Sequence, residues 1–199
     1  MLERRHIVLQ IARGALEHAL GKSGKRGEGG EGASVSRNPP EMANALWLRE
    51  PGASFVTLRQ DGDLRGCIGS LEAHRPLGED IAANAVAAAL YDRRFVPVTY
   101  IELEHIEVEV SILTPSEPLP CDDEADAMAK LRPGIDGVVL EYGRHRSTFL
   151  PQVWENLPDV SSFLRELKRK AGLPDDFWHE DLRVRRYGVE KHCERETVR

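Results

Sequence analysis

Cysteine is scarce in this chain of 199 residues, occurring only at Cys67, Cys121 and Cys193. Three widely spaced thiols do not make a disulfide framework, and a chain of this length buries on the order of 70% of its unfolded surface without one. No Cys-x-x-Cys pair occurs, and none of the seven histidines is spaced with another for a metal-binding helix face, so no metal site is expected. Glycine loops of the P-loop or dinucleotide type are absent as well, and no cofactor is expected. No apolar run approaches the roughly 18 residues of a membrane span. The N-terminal helical stretch is interrupted by Gln10 and Arg13, unlike the apolar core of a secretory signal, and the expected location is the cytoplasm. An excess of positive charge is also lacking. The net charge of −6 argues against a nucleic acid as the main ligand.

What is present is a mixture of two periodicities. Ile7, Val8, Ile11, Ala12, Ala15, Leu16, Ala19 and Leu20 recur at helical spacing and predict a helix of about five turns. Residues 21–37 are glycine-rich and almost without apolar side chains, so they are expected to form a flexible loop. Segments 54–60 and 64–71 read as strands around a turn at 61–63. An alanine-rich helix follows over 77–90, with side chains small enough for close packing. Ile106, Val108, Val110 and Ile112 alternate with Glu107, Glu109 and Ser111, the clearest strand in the chain. Segments 138–142 and 147–150 predict a hairpin across 143–146. A helix carrying Phe163, Leu164, Leu167 and Ala171 stops at Gly172 and Pro174, and 182–189 reads as a last strand. Hairpins and helices without a regular βαβ alternation predict an α+β fold with a mainly antiparallel sheet.

Residues 64–69 read Leu-Arg-Gly-Cys-Ile-Gly and form the candidate functional centre. With a three-residue turn, Gln60 faces Leu64, Leu58 faces Gly66, Thr57 faces Cys67 and Val56 faces Ile68. Strand alternation then gathers Val56, Leu58, Leu64 and Ile68 on an apolar face, and Thr57, Arg59, Arg65 and Cys67 on a polar one. Positive charge beside a cysteine favours the thiolate, its reactive form. Gly66 and Gly69 would open space around the thiol or present backbone N–H groups to an oxyanion. Arg65 has the fork that pairs with carboxylate or phosphate. Equally, cysteine in a strand is a common packing residue, and Arg65 suits an ordinary structural ion pair.

At these residues the chain resembles a known family. The stretch FVTLRQDGDLRGCIGSLEA, from Phe55 to Ala73, resembles the AMMECR domain family through its signature LRGCIG. Asp92-Arg93-Arg94-Phe95 with Pro97 is similar to that family's D-x-R-F-x-P segment. VEVSILTP (108–115), LRPGIDGVVL (131–140), STFLPQVW (147–154), 163–173 and Arg186-Tyr187 continue the likeness, which omits little beyond 21–37 and the last residues. As a whole the chain is most similar to stand-alone bacterial and archaeal members, called component A of the AmmeMemoRadiSam system. The resemblance implies one AMMECR-type domain over 1–199, an antiparallel sheet with flanking helices and a smaller α/β subdomain. It implies a Memo-like protein and a radical SAM protein as partners. The clustered cysteines of radical SAM chemistry are not in this chain, so that chemistry would belong to the partner. It supplies no reaction. By motif, Arg65, Gly66, Cys67, Ile68 and Gly69 match the signature, and Asp92, Arg94, Ser111 and Thr148 fall in the accompanying blocks. Glu72, Glu109 and His145 fall where the family varies.

Two functions follow as expectations. In the first, Cys67 is the nucleophile of a thiol-dependent transferase or hydrolase acting on a small molecule or a protein. Arg65 or Arg59 would stabilise the thiolate and Asp92 would serve as base, while Gly66, Gly69, Arg94, Ser111 and Thr148 would contact the ligand. In the second, the chain is a non-catalytic binding or adaptor module, in which Arg65 and Arg94 hold an anionic group.

Overall fold

The computed structural model describes residues 2–24 and 45–195. In chain order the elements are α1 (Leu2–Gly24), β1 (Pro51–Gln60), β2 (Asp63–Gly69), β3 (Arg75–Pro76), α2 (Leu77–Leu90), β4 (Ile106–Leu113), β5 (Glu117–Pro118), α3 (Glu124–Lys130), β6 (Gly137–Tyr142), β7 (His145–Phe149), α4 (Val160–Lys170), β8 (Arg183–Tyr187) and β9 (Val189–Cys193), with short 3-10 turns between. The fold is α+β with mainly antiparallel sheets. The chain divides into two compact units, Met1–Ile112 with Glu190–Arg199, and Leu113–Val189. The second is an insertion in the chain of the first.

The first unit holds a sheet in the order β2-β1-β4-β9, with β3 paired to β1. Val56, Leu58, Val108, Val110 and Ile112 share one buried cluster with Val8, Ala12 and Leu16 of α1 and Ile81, Ala85 and Ala88 of α2. Both helices therefore cover one face of the sheet. Glu109, Ser111, Thr57 and Cys67, one position out of phase, lie on the other face. α1 carries its apolar stripe as expected but runs on to Gly24, past the expected start of the loop. The rest of that stretch, 25–37, lies outside the described residues.

The β1–β2 hairpin keeps the expected register at its centre, with Val56 opposite Ile68, Thr57 opposite Cys67 and Leu58 opposite Gly66. Its turn is shorter than expected. Asp61 and Gly62 alone connect the strands, with φ of 54° and 89°, the left-handed pair that a two-residue hairpin turn requires. The two facts are reconciled by a bulge: pairing passes from Leu58–Gly66 to Arg59–Leu64, leaving Arg65 as the extra residue. Leu64 consequently does not anchor the apolar face; it is 37% exposed.

The second unit holds a sheet in the order β5-β8-β6-β7. Val138, Leu140 and Val184 pack with Phe163, Leu164 and Leu167 of α4 and with Trp154, whose ring stacks on Phe163 at 3.6 Å. The strand expected over 182–189 is two strands, β8 and β9, which break at Gly188 and join different sheets. Gly188 marks that break in the sequence, since a glycine inside a strand signals a bulge or bend.

Candidate functional site

Cys67 is half-buried on β2, and its backbone is fixed on both sides by one ion pair. Its N–H donates to Asp92 Oδ2 at 2.9 Å, and its carbonyl accepts from Arg94 Nη2 at 3.2 Å. Arg94 Nε donates to Asp92 Oδ1 at 2.9 Å and Nη2 to Oδ2 at 2.6 Å, while the Arg94 N–H donates to Oδ1 at 3.1 Å. The carboxylate thus accepts from four N–H donors. The Arg94 guanidinium holds the Asp92 carboxyl well below the usual carboxylate range; burial opposes this, and the N–H groups of Cys67 and Arg94 add to it. Arg94 is correspondingly raised, first by Asp92, and less so by the Cys67 thiol beside it. Thr57 Oγ1, directly across the hairpin, donates to Cys67 Sγ at 3.4 Å.

α2 positions this group. It lies against β2 closely enough that a Cβ at Gly66 would stand 2.2 Å from the Ala88 carbonyl oxygen. Just past its C-terminus, Phe95 N–H donates to the Asp92 carbonyl at 3.1 Å and Val98 N–H to the Ala89 carbonyl at 2.8 Å, which folds 92–98 back toward the strand. Gly69 has a second steric reason. Its cross-strand partner is Phe55, whose ring would lie 2.2 Å from an added Cβ.

The other expected residues are distributed differently. Arg65, displaced by the bulge, donates from Nε and Nη2 to Glu102 Oε1 at 3.1 and 3.0 Å and from Nη1 to the Val96 carbonyl at 2.8 Å. Arg59 donates to Gly62 O of its own turn at 3.2 Å. The cation beside the thiol is therefore Arg94, not Arg65 or Arg59. Ser111 shares the sheet face of Cys67, but β1 lies between their strands, so their backbones are at least about 10 Å apart. Its Oγ is buried and has no hydrogen-bond partner among the described residues. Thr148 belongs to the second unit, where its Oγ1 lies 3.1 Å from the Tyr187 hydroxyl. His145 is also in that unit and donates from Nδ1 to the Ala171 carbonyl at 2.9 Å. An open groove there, lined by Glu141, Tyr142, His145, Arg146, Asp181 and Arg183, contains none of the signature residues.

Sequence reasoning missed a buried polar network at the end of the signature strand. Asp80 accepts from Ser54 N–H and Oγ, Ser70 Oγ, Arg75 Nε and Asn84 Nδ2, at 2.7–3.0 Å. An acidic residue in the first turn of a helix reads in the sequence as a partner for the helix dipole, which hides this second role. The remaining thiols differ from Cys67 in their surroundings. Burial first, then Asp126, pushes the Cys121 thiol up; burial first, then Glu109, does so for Cys193. Among the described residues no three His, Cys, Asp or Glu side chains are grouped to hold a metal ion, and no helix is long and apolar enough to cross a membrane.

These features define an α+β protein organised around a Leu-Arg-Gly-Cys-Ile-Gly strand fixed by an Asp–Arg pair. The sequence model of the AMMECR1 family matches residues 9–192, and the chain belongs to that family. A protein of Methanothermobacter thermautotrophicus is 39% identical over 186 residues, covering 90% of this chain and 88% of the relative. One of Thermotoga maritima is 42% identical over 149 residues, covering 74% and 80%. The crystal structure of the uncharacterized protein PH0010 from Pyrococcus horikoshii superposes with a TM-score of 0.70 at 36% identity, covering 92% of this chain and 88% of that one.

Proposed function

We propose that this chain is a thiol-dependent enzyme, a transferase or hydrolase, acting through Cys67 on a small molecule or a protein. The observation that carries the reading is the environment of one sulfur. Arg65, Gly66 and Gly69 have structural partners that account for them, whereas Cys67 has a rigidly held backbone, a hydroxyl donor on its Sγ and a guanidinium beside it. Donors of this kind act on the thiolate, the nucleophilic form. In acyl transfer the sulfur would bond to a carbonyl carbon as the bond to the leaving group breaks, the leaving group keeping the electron pair. Water or a second acceptor would then displace the sulfur. Asp92 enters as a positioning residue and not as the base, because a carboxylate held this low and fully engaged is a weak proton acceptor.

A second reading is a binding or adaptor module serving a Memo-like and a radical SAM partner. It is favoured by one observation: no carboxylate or imidazole among the described residues hydrogen-bonds the Cys67 thiol. Iodoacetamide labelling across pH separates the two. The enzyme reading expects Cys67 to react at neutral pH faster than Cys121 and Cys193. An inert Cys67, or one titrating at about 8.5 or above like a free thiol, removes it. Retention of partner capture and genetic complementation by folded Cys67→Ser would establish the binding reading in its place.

A further inference from the structure

The Asp92–Arg94 pair is oriented, and the orientation says what kind of substrate can approach Cys67. The Asp92 side chain is 5% exposed and that of Arg94 56% exposed. The carboxylate lies beneath, and the guanidinium is what solvent meets. Arg94 uses Nε and Nη2 on Asp92 and on the Cys67 carbonyl and also reaches the Cys67 thiol, while more than half of its side chain stays open to solvent. The charge that solvent meets beside the thiol is therefore the Arg94 guanidinium, with its carboxylate partner beneath it, on a chain whose net charge is −6. Arg65, which the sequence suggests for this task, is engaged with Glu102 and Val96 instead.

We propose that the group on which Cys67 acts carries an anionic oxygen cluster, a carboxylate or a phosphate, received by the exposed guanidinium of Arg94. This rests on the thiol reading above and specifies its substrate class. Guanidinium presents a planar fork that matches both oxyanions, and it cannot lose its charge at any working pH.

The chain contains its own control. Cys121 stands near Asp122, Asp123 and Asp126 with Lys130 as the opposing cation, so carboxylates predominate there; Cys193, with Glu109 set against Lys191 and Arg5, is not used for the comparison. The experiment compares iodoacetate with iodoacetamide at Cys67 and Cys121, read by mass spectrometry of the intact chain's peptides. In both reagents the thiolate forms a C–S bond as C–I breaks and iodide leaves, so only the reagent's charge differs. The iodoacetate-to-iodoacetamide rate ratio should be roughly 3–10-fold higher at Cys67 than at Cys121, and should fall as salt is raised from about 0.02 to 0.5 M. Arg94→Gln should remove the preference and Arg94→Lys should keep most of it. A reactive Cys67 whose ratio equals that of Cys121 overturns this proposal and leaves the thiol reading standing. An inert Cys67 overturns the thiol reading and with it any action of Cys67 on the bound group, and a titration then decides whether Arg94 receives an oxyanion at all. Inorganic phosphate and acetate are added separately while the Arg94 side-chain and Cys67 amide NMR signals are followed. Saturable shifts with phosphate, acetate or both sustain that reception and say which oxyanion is received; no saturable shift with either overturns it.

Discussion

Two glycines of the signature strand look alike in sequence and face different neighbours, which separates their energetics. At Gly66 an added methyl group meets the Ala88 carbonyl at 2.2 Å, an atom fixed in the backbone of α2. At Gly69 it meets the ring of Phe55 at 2.2 Å, a half-buried side chain that can rotate away. Overpacking against an immovable group costs more than against one that can yield. Gly66→Ala should therefore destabilise by about 2–3 kcal/mol and Gly69→Ala by about 1–2 kcal/mol, read as urea midpoints. Equal costs would show that α2 shifts as readily as a phenyl ring. The methyl group at 66 should also slow iodoacetamide at Cys67, since it displaces the helix end that carries Asp92 and Arg94.

At the scale of elements, α2 and β2 are joined by ionised Asp92, and this gives the protein a definite pH dependence. The folded-state value of Asp92 lies below its ordinary 3.8, so the folded chain binds fewer protons than the unfolded one near that pH. Its contribution is complete above about pH 5 and is lost as the pH falls through 4 toward the folded-state value. Asp92→Asn should cost about 2 kcal/mol at pH 7, and its deficit against wild type should shrink steadily between pH 5 and 2.5. A pH-independent deficit would mean that the hydrogen-bonding shape of Asp92 matters and its charge does not. In the second unit, Lys168 of α4 is 1% exposed and reaches Glu124 of α3 at 2.9 Å. A buried charge without its partner is costly, so Glu124→Ala should destabilise by about 3 kcal/mol, and Lys168→Met, which removes the charge but keeps the packing, by less. The sequence makes much of this scale legible: β4 and α2 stand where their periodicities put them, and the pairing of Thr57 with Cys67 follows from the burial of Val56 and Leu58. It hides what depends on a local irregularity or on tertiary choice. The bulge at Arg65 redirects that side chain to Glu102 while leaving the hydrophobic pattern intact. Arg94 reaches Cys67 only because the chain folds back after α2, and the sheet to which 189–193 belongs is decided by neighbours far away in sequence.

At the scale of the whole molecule, β4 and β9 form an antiparallel pair although more than seventy residues separate them. Glu194 N–H donates to the Val108 carbonyl at 3.1 Å, and Thr114 N–H to the Gly188 carbonyl at 3.0 Å. The contacts of Glu107 with Arg195 and of Glu109 with Cys193 fit the same register. That register places Ile112 opposite Glu190, in step with the hydrogen-bonded pairs at Val108 and Thr114. A hydrogen-bonded pair at this position is what a two-residue hairpin turn closes. Replacing Leu113–Val189 by Asn-Gly should therefore leave a chain in which β4 and β9 are a direct hairpin and the helix-covered core of the first unit is unchanged. All of Cys67, Thr57, Asp92 and Arg94 remain in it, and Thr148 and His145 are removed. The shortened chain should unfold cooperatively in urea and keep the order of iodoacetamide reactivity in which Cys67 precedes Cys193. If it folds but Cys67 loses that order, residues of the inserted unit are required for the thiol's environment. If it does not fold, the first unit depends on the second for stability, and its buried cluster around Val56, Val108 and Leu16 is insufficient alone.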